Sequence, residues 1–87
     1  MNELPKAFSN IARIKILSCL SGKKKNVTDL INNCGLSQSA VSQHLKKLKD
    51  LGMIDCSVNG KERVYRLKNG EAGNIAKKII NLIKNNK

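Results

Sequence analysis

Apolar residues recur first at helical spacing and then at strand spacing along this chain. Leu4, Ala7, Phe8 and Ile11 stand at i, i+3, i+4 and i+7, the stripe of a helix whose first turn suits Pro5. Asn10 is placed to cap a second helix over residues 11–21, carrying Ile14, Leu17 and Leu20 inward and stopped by Gly22. After the basic connector Lys23-Lys24-Lys25, Asn26 caps a third helix, with Asp29 near the positive end of its dipole. Gly35 ends that helix early. Leu36 and Ser37 complete a three-residue turn, and Ser37 caps a fourth helix that runs to Gly52.

The period then shortens. Residues 53–58 read as a strand, Asn59-Gly60 as a two-residue hairpin turn, and residues 61–68 as the returning strand. That register sets Val58 opposite Lys61, Cys56 opposite Arg63 and Ile54 opposite Tyr65, a hairpin with an apolar root and a basic tip. Asn69-Gly70 break the strand. A last helix over residues 71–84 carries Ile75, Ile79, Ile80, Leu82 and Ile83 on a broad apolar face. The order α-α-α-α-β-β-α predicts a mainly α, winged helix-turn-helix fold, one domain over residues 1–87.

Composition narrows the function. In 87 residues, 17 Lys+Arg against 6 Asp+Glu leave a net charge of +11, which selects nucleic acid, an anionic membrane or an acidic protein as partner. No apolar run approaches the ~18–20 residues of a bilayer span, so no membrane role is expected. The first residues lack the charged-then-apolar build of a secretion signal, and a cytoplasmic protein is expected. Hydrophobic residues are 40% and aromatics 2%, so the core must be aliphatic. Such a short chain buries only roughly 60–65% of its unfolded surface, and a partner subunit would help its stability.

Catalytic and metal chemistry find little support. Cys19, Cys34 and Cys56 are spread without a C-x-x-C, which signals neither a disulfide framework nor a zinc finger. With one histidine, six scattered acids and no phosphate-cradling loop, the sequence argues against an enzyme, and no cofactor or metal site is expected. Each cysteine reads best as a small buried hydrophobe. Cys34 stands where an apolar residue closes the turn, and Cys56 lies on the apolar face of the hairpin.

The fourth helix has two faces at 100° per residue. Val41, Leu45 and Leu48 cluster and must point to the core, while Ser39, Ser42, Gln43, Lys46 and Asp50 fall opposite. Gln and Ser can hydrogen-bond base edges, and Lys contacts phosphate. The first turns of such a helix enter the major groove, so Gln38, Ser39, Ser42 and Gln43 are the expected base readers. Lys46, Lys47 and Lys49 further along, with Lys61 and Arg63 on the wing, suit phosphates. A polar helix face is often merely solvated. Here the preceding turn, the basic wing and the net charge together favour DNA. His44 falls at the core boundary, where a packed imidazole is commoner than a metal ligand, and a phosphate contact from it stays open.

The run Phe8-Ser-Asn-Ile-Ala-Arg-Ile-Lys-Ile-Leu17, then Val27-Thr-Asp-Leu30, then Gly35-Leu-Ser-Gln-Ser-Ala-Val-Ser-Gln-His-Leu-Lys-Lys-Leu48 and Leu51-Gly-Met-Ile54, resembles the ArsR (arsenic-repressor) family. The resemblance covers nearly the whole chain. It implies a dimeric winged-helix repressor that binds an operator near its own promoter. A dimer doubles the basic residues one DNA turn apart, so a pseudo-palindromic site is expected. The resemblance also implies that the dimer is joined through its first and last helices. That agrees with the apolar residues Leu4, Phe8, Ile11, Ile75, Ile79, Leu82 and Ile83 as an interface. The family's DNA-reading positions fall on Gln38, Ser39, Ser42, Gln43 and His44.

The family's sensor chemistry does not carry over. The resemblance places a Cys-Val-Cys metal site where Asn26-Val27-Thr28 stands, and neither Asn nor Thr offers a thiolate. A second type uses His and acidic ligands on the last helix, which has no His or Asp here. A third senses persulfides through one thiol on the second helix and one on the last. Cys19 is one position off that pattern, and the last helix has no cysteine. Two functional classes follow, a sequence-specific dimeric repressor or a winged-helix module for nonspecific DNA coating or protein contact. The unobstructed polar face and basic wing favour the first.

Overall fold

The computed structural model of the chain describes residue 6 and residues 8–85. Lys6 is helical, and among the described residues the further elements follow in the order α1 (Ile11–Cys19), β1 (Lys25–Asn26), α2 (Val27–Cys34), α3 (Gln38–Asp50), β2 (Ile54–Asn59), β3 (Glu62–Leu67) and α4 (Gly70–Asn85). Helix α1 is therefore the second of the helices expected from the periodicity. Of the stripe expected to form the first helix, Leu4 and Ala7 lie outside the described residues, Phe8 lies in a turn, and Ile11 opens α1.

The caps fall where side-chain chemistry places them. Asn10 Oδ1 accepts from the Ala12 and Arg13 N–H groups at 2.8 and 3.3 Å. At the start of α2, Asn26 Oδ1 accepts from the Asp29 N–H at 2.7 Å, and Asp29 Oδ2 accepts in return from the Asn26 N–H at 3.3 Å. Two donors with no partner inside the helix are thereby satisfied reciprocally. Gly35 ends α2 at φ +68, a left-handed conformation that favours glycine, and Ser37 Oγ then caps α3 at the Ala40 N–H.

One aliphatic core joins these elements. α1 is buried on two sides, because Ile16 is fully buried alongside the expected Ile14, Leu17 and Leu20. One side packs on α4 and the other on α2 and α3. Val41, Leu45 and Leu48 bury as the periodicity requires. Residues 8–10 and the N-terminal part of α1 are further tied down by Arg13, whose Nη1 donates to the Lys6 carbonyl at 2.7 Å.

Two features of the sheet differ from expectation. β1 has no counterpart among the expected elements; it pairs antiparallel with β3, Lys25 with Tyr65 and Asn26 with Val64, giving the strand order β1-β3-β2. The hairpin turn is also displaced by one residue. Asn59 pairs with Glu62, Val58 with Arg63, Cys56 with Tyr65 and Ile54 with Leu67, so Gly60-Lys61 form the turn rather than Asn59-Gly60. Gly60 takes φ +68 at the first central position, and among the described residues only glycines have positive φ, so Lys61 does not, which is the pattern of a type II′ turn. Each cross-strand partner moves by two residues, an even number. The faces are therefore unchanged, and Ile54, Cys56 and Val58 still share one with Tyr65 and Leu67.

The last helix meets the core through small residues. Ala72, Gly73 and Ala76 are its buried positions, while Ile79 and Ile80 are half-buried. A Cβ on Gly73 would stand 2.7 Å from Leu67 Cδ1, 2.8 Å from Ser21 Cβ and 3.0 Å from the Ser21 Cα. The Ser21 backbone cannot rotate away as a side chain could. Gly73→Ala gains ~1 kcal/mol of helix propensity but adds ~1–3 kcal/mol of overpacking, so a net loss is expected. Thermal unfolding should fall by roughly 4–8 °C per kcal/mol lost. Gly70→Ala, with no atom within 4 Å of its new methyl, should leave the midpoint unchanged or slightly raised. A Gly73→Ala protein as stable as its parent would show that α4 is not held to the turn after α1 and to β3 by this close approach.

Candidate nucleic-acid interface

With its apolar side seated in the core, α3 must present the rest of its circumference outward. Gln38, Ser39, Ser42, Gln43, Lys46, Lys47 and Lys49 are all exposed, whereas His44 is half-buried at the boundary. Gln43 and Ser39 lie one turn apart, with Gln43 Nε2 3.5 Å from Ser39 Oγ. Their polar groups therefore neighbour each other on one exposed patch.

The hairpin supplies a second wall. Ser42, Lys46 and Lys49 of α3 line a cleft of about 460 Å³ with Arg63 and Tyr65 of β3, and Val27 and Leu45 form its floor. Three cationic side chains thus converge beside the polar helix face. Burial, with Cys56 beside it, pushes the Tyr65 phenol above its ordinary value, so at neutral pH its hydroxyl stays protonated and can donate. Lys61 lies outside this cleft. It joins Arg63 around a smaller cavity of about 280 Å³ that also reaches Thr28 at the start of α2.

The expected site residues therefore divide. Ser42, Lys46 and Arg63 meet in one cleft; Gln38, Ser39 and Gln43 lie along α3; Lys61 sits at the hairpin tip; and Lys47 is exposed on α3. Thr28 and Tyr65 are not among the residues expected from sequence. Tyr65 is visible there as a strand residue, but only the pairing of β3 with β1 brings Thr28 toward the wing. Glu62 interrupts the basic tip, and its carboxylate accepts a short hydrogen bond from Asn26 Nδ2.

The expected interface residues divide as well. Leu4 lies outside the described residues. Phe8 and Ile79 pack partly on the chain's own core, while Ile11, Ile75, Leu82 and Ile83 are 48, 39, 69 and 54% exposed. Among the described residues, no three His, Cys, Asp or Glu side chains group as metal ligands, and no helix is long and apolar enough to cross a membrane. The cysteines differ most from expectation. Cys34 is buried and Cys19 and Cys56 are half-buried, but Cys19 and Cys34 are not independent core residues, since their sulfurs lie 3.0 Å apart.

Known proteins share both the sequence pattern and this architecture. The HTH-type transcriptional regulator YgaV of Escherichia coli (strain K12) is 41% identical over 83 residues, covering 94% of this chain and 80% of that protein. The structure of HlyU from Vibrio cholerae N16961 superposes with a TM-score of 0.78 at 32% identity, over 91% of this chain and 86% of that one. The transcriptional repressor BigR from Xylella fastidiosa superposes with a TM-score of 0.81 at 25% identity, over 92% and 82% of the two chains. Residues 10–55, from the cap of α1 through the helix-turn-helix to the root of the wing, match the family model described as bacterial regulatory protein, arsR family. That match spans more than half of the chain and contains the whole of α3, and the chain accordingly belongs to the arsR family of bacterial regulatory proteins.

Proposed function

We propose that this chain is a cytoplasmic, dimeric transcriptional repressor that binds a pseudo-palindromic DNA operator as a single domain and without a metal cofactor. The observation that carries the reading is the cleft in which Ser42, Lys46 and Lys49 of α3 face Arg63 and Tyr65 of the wing. A helix inserted in the major groove places its first turns at base edges and its flanks at the backbone. Gln38, Ser39, Ser42 and Gln43 then read bases. Lys46, Lys47, Lys61 and Arg63 hold phosphates, and His44 has only its exposed edge to offer a phosphate. The apolar side chains left outward on α4 and at Ile11 support a second copy as the partner. Two reading helices in such a dimer address half-sites about one DNA turn, ~34 Å, apart.

The division of labour is testable by salt. Lys61→Ala or Arg63→Ala should weaken binding to operator and random DNA alike. Each should also reduce the steepness of the salt dependence by roughly one for every phosphate that each subunit no longer neutralises. Gln43→Ala should cost ~1–3 kcal/mol on the operator and little on random DNA, because base-edge bonds form only at the right sequence. Equal losses on both DNAs would make Gln43 a backbone contact, and a wild-type protein with no operator preference would point instead to nonspecific coating.

Dimerisation is best probed at Leu82, since Ile79 also serves the chain's own core. Leu82→Asp leaves that core intact and places a carboxylate in the proposed apolar seam, where desolvation disfavours it strongly. Circular dichroism should be unchanged while sedimentation shows monomer and operator affinity falls. A folded Leu82→Asp dimer would locate the interface elsewhere.

A further inference from the structure

Cys19, the last residue of α1, and Cys34, the last residue of α2, hold their Sγ atoms 3.0 Å apart, and both thiols are free. That separation puts a disulfide within reach of a small side-chain movement. Closing to the ~2.05 Å of a disulfide needs an approach of about 1 Å. A structural zinc site needs further ligands beside two thiolates, and among the described residues no three His, Cys, Asp or Glu side chains group together.

The thiols are also accessible. Both line a cavity of about 290 Å³, whose polar walls are Lys15, Ser18, Asn33 and Lys84. With Lys15 and Lys84 in its lining, the cavity favours an anionic visitor. The two sulfurs are unequal as well. The hydrogen bond from Cys34 holds the Cys19 thiol down to about 7, with Lys25 assisting and burial opposing. Its role as donor, together with burial, pushes Cys34 up. Cys19 is therefore the one that carries thiolate at neutral pH, and the thiolate is the nucleophile.

We propose that Cys19 and Cys34 form a reactive dithiol whose substrate is an anionic low-molecular-weight disulfide and whose product is an intramolecular bond joining α1 to the end of α2. The Cys19 thiolate attacks one sulfur of the small disulfide, breaking its S–S bond, releasing one thiolate and forming a mixed disulfide on Cys19. Cys34 gives its proton to that released thiolate and attacks Cys19 Sγ, expelling the second. The two cysteines are oxidised by two electrons, and the small disulfide is reduced to two thiols. This pair coincides with none of the three sensor sets implied by the family resemblance, and it does not depend on the DNA-reading assignment.

The experiment exposes the full-length reduced chain to oxidised glutathione, with cationic cystamine as the charge-reversed probe. Glutathione should yield a product lighter by two hydrogens, and peptide mapping should link Cys19 to Cys34. Cys34→Ser should stop at a single glutathione adduct on Cys19. Iodoacetamide labelling of Cys19 should rise with pH through a midpoint of about 7. Lys84→Glu should slow glutathione several-fold while leaving cystamine unchanged or faster. The proposal is overturned if the first adduct forms on Cys34 or Cys56, if no Cys19–Cys34 link appears in the wild-type chain, or if cystamine reacts as fast as glutathione. The wild-type map decides the matter even where a variant folds poorly.

Discussion

The geometry of the cleft between α3 and the wing depends on Asn26. Its side-chain oxygen caps α2, its backbone N–H is capped in return by Asp29, and its side-chain amide donates to Glu62 on the wing. Its backbone also pairs with Val64 through β1. One residue thus joins the first helix of the helix-turn-helix to the strand that carries Arg63 and Tyr65. A two-stranded hairpin alone is marginally stable in water. Here the third strand and the Glu62 contact give the wing a fixed place beside α3, and the cleft between them follows from that placement.

The same contact shapes the charge. A chain of net +11 has six acidic residues, of which Glu3 lies outside the described residues and five are placed by the fold. Asp29 is engaged in the cap, Glu62 is turned toward Asn26, Asp55 lies 3.8 Å from Lys68, and Glu71 sits in the first turn of α4. These acids stand at caps and strand partners, and Asp50 falls at the far end of α3. The first three turns of α3 and the facing β3 wall are left with cations and neutral polar groups. Exposed pairs such as Lys68–Asp55 add little stability. Their effect is to keep carboxylates out of the cleft between α3 and Arg63 and Tyr65, while Glu62 stays beside Lys61 at the tip.

Local signals made most of this architecture legible in the sequence. Asn10, Asn26 and Ser37 cap the helices they are expected to cap, and Gly35 ends α2, because these roles depend only on residues three or four positions away. The core face of α3 is equally legible from the spacing of Val41, Leu45 and Leu48. Register is less so. Asn59-Gly60 matches one favoured hairpin turn and Gly60-Lys61 another, and only the pairing decides between them. The face of each wing residue survives that error because side chains alternate with a period of two.

What sequence could not supply was proximity between elements. A two-residue strand such as β1 has no periodicity, and its existence depends on β3 being there to pair with. Gly73 looks like a weak point in a helix until Ser21, in the turn after α1, and Leu67 of β3 are laid against it. The cysteines make the same point chemically. Taken singly, Cys34 reads as a small apolar residue, and its burial agrees. Its reactivity is a property of two helices ending side by side, fifteen residues apart in the chain, with Cys19 across a 3.0 Å gap. Helix length, set by the caps at Asn10 and Asn26 and by Gly35, fixes where each helix ends, and packing of α1 against α2 brings those ends together. A thiol pair of this kind is therefore encoded, but in the caps and the core rather than in the spacing of the cysteines.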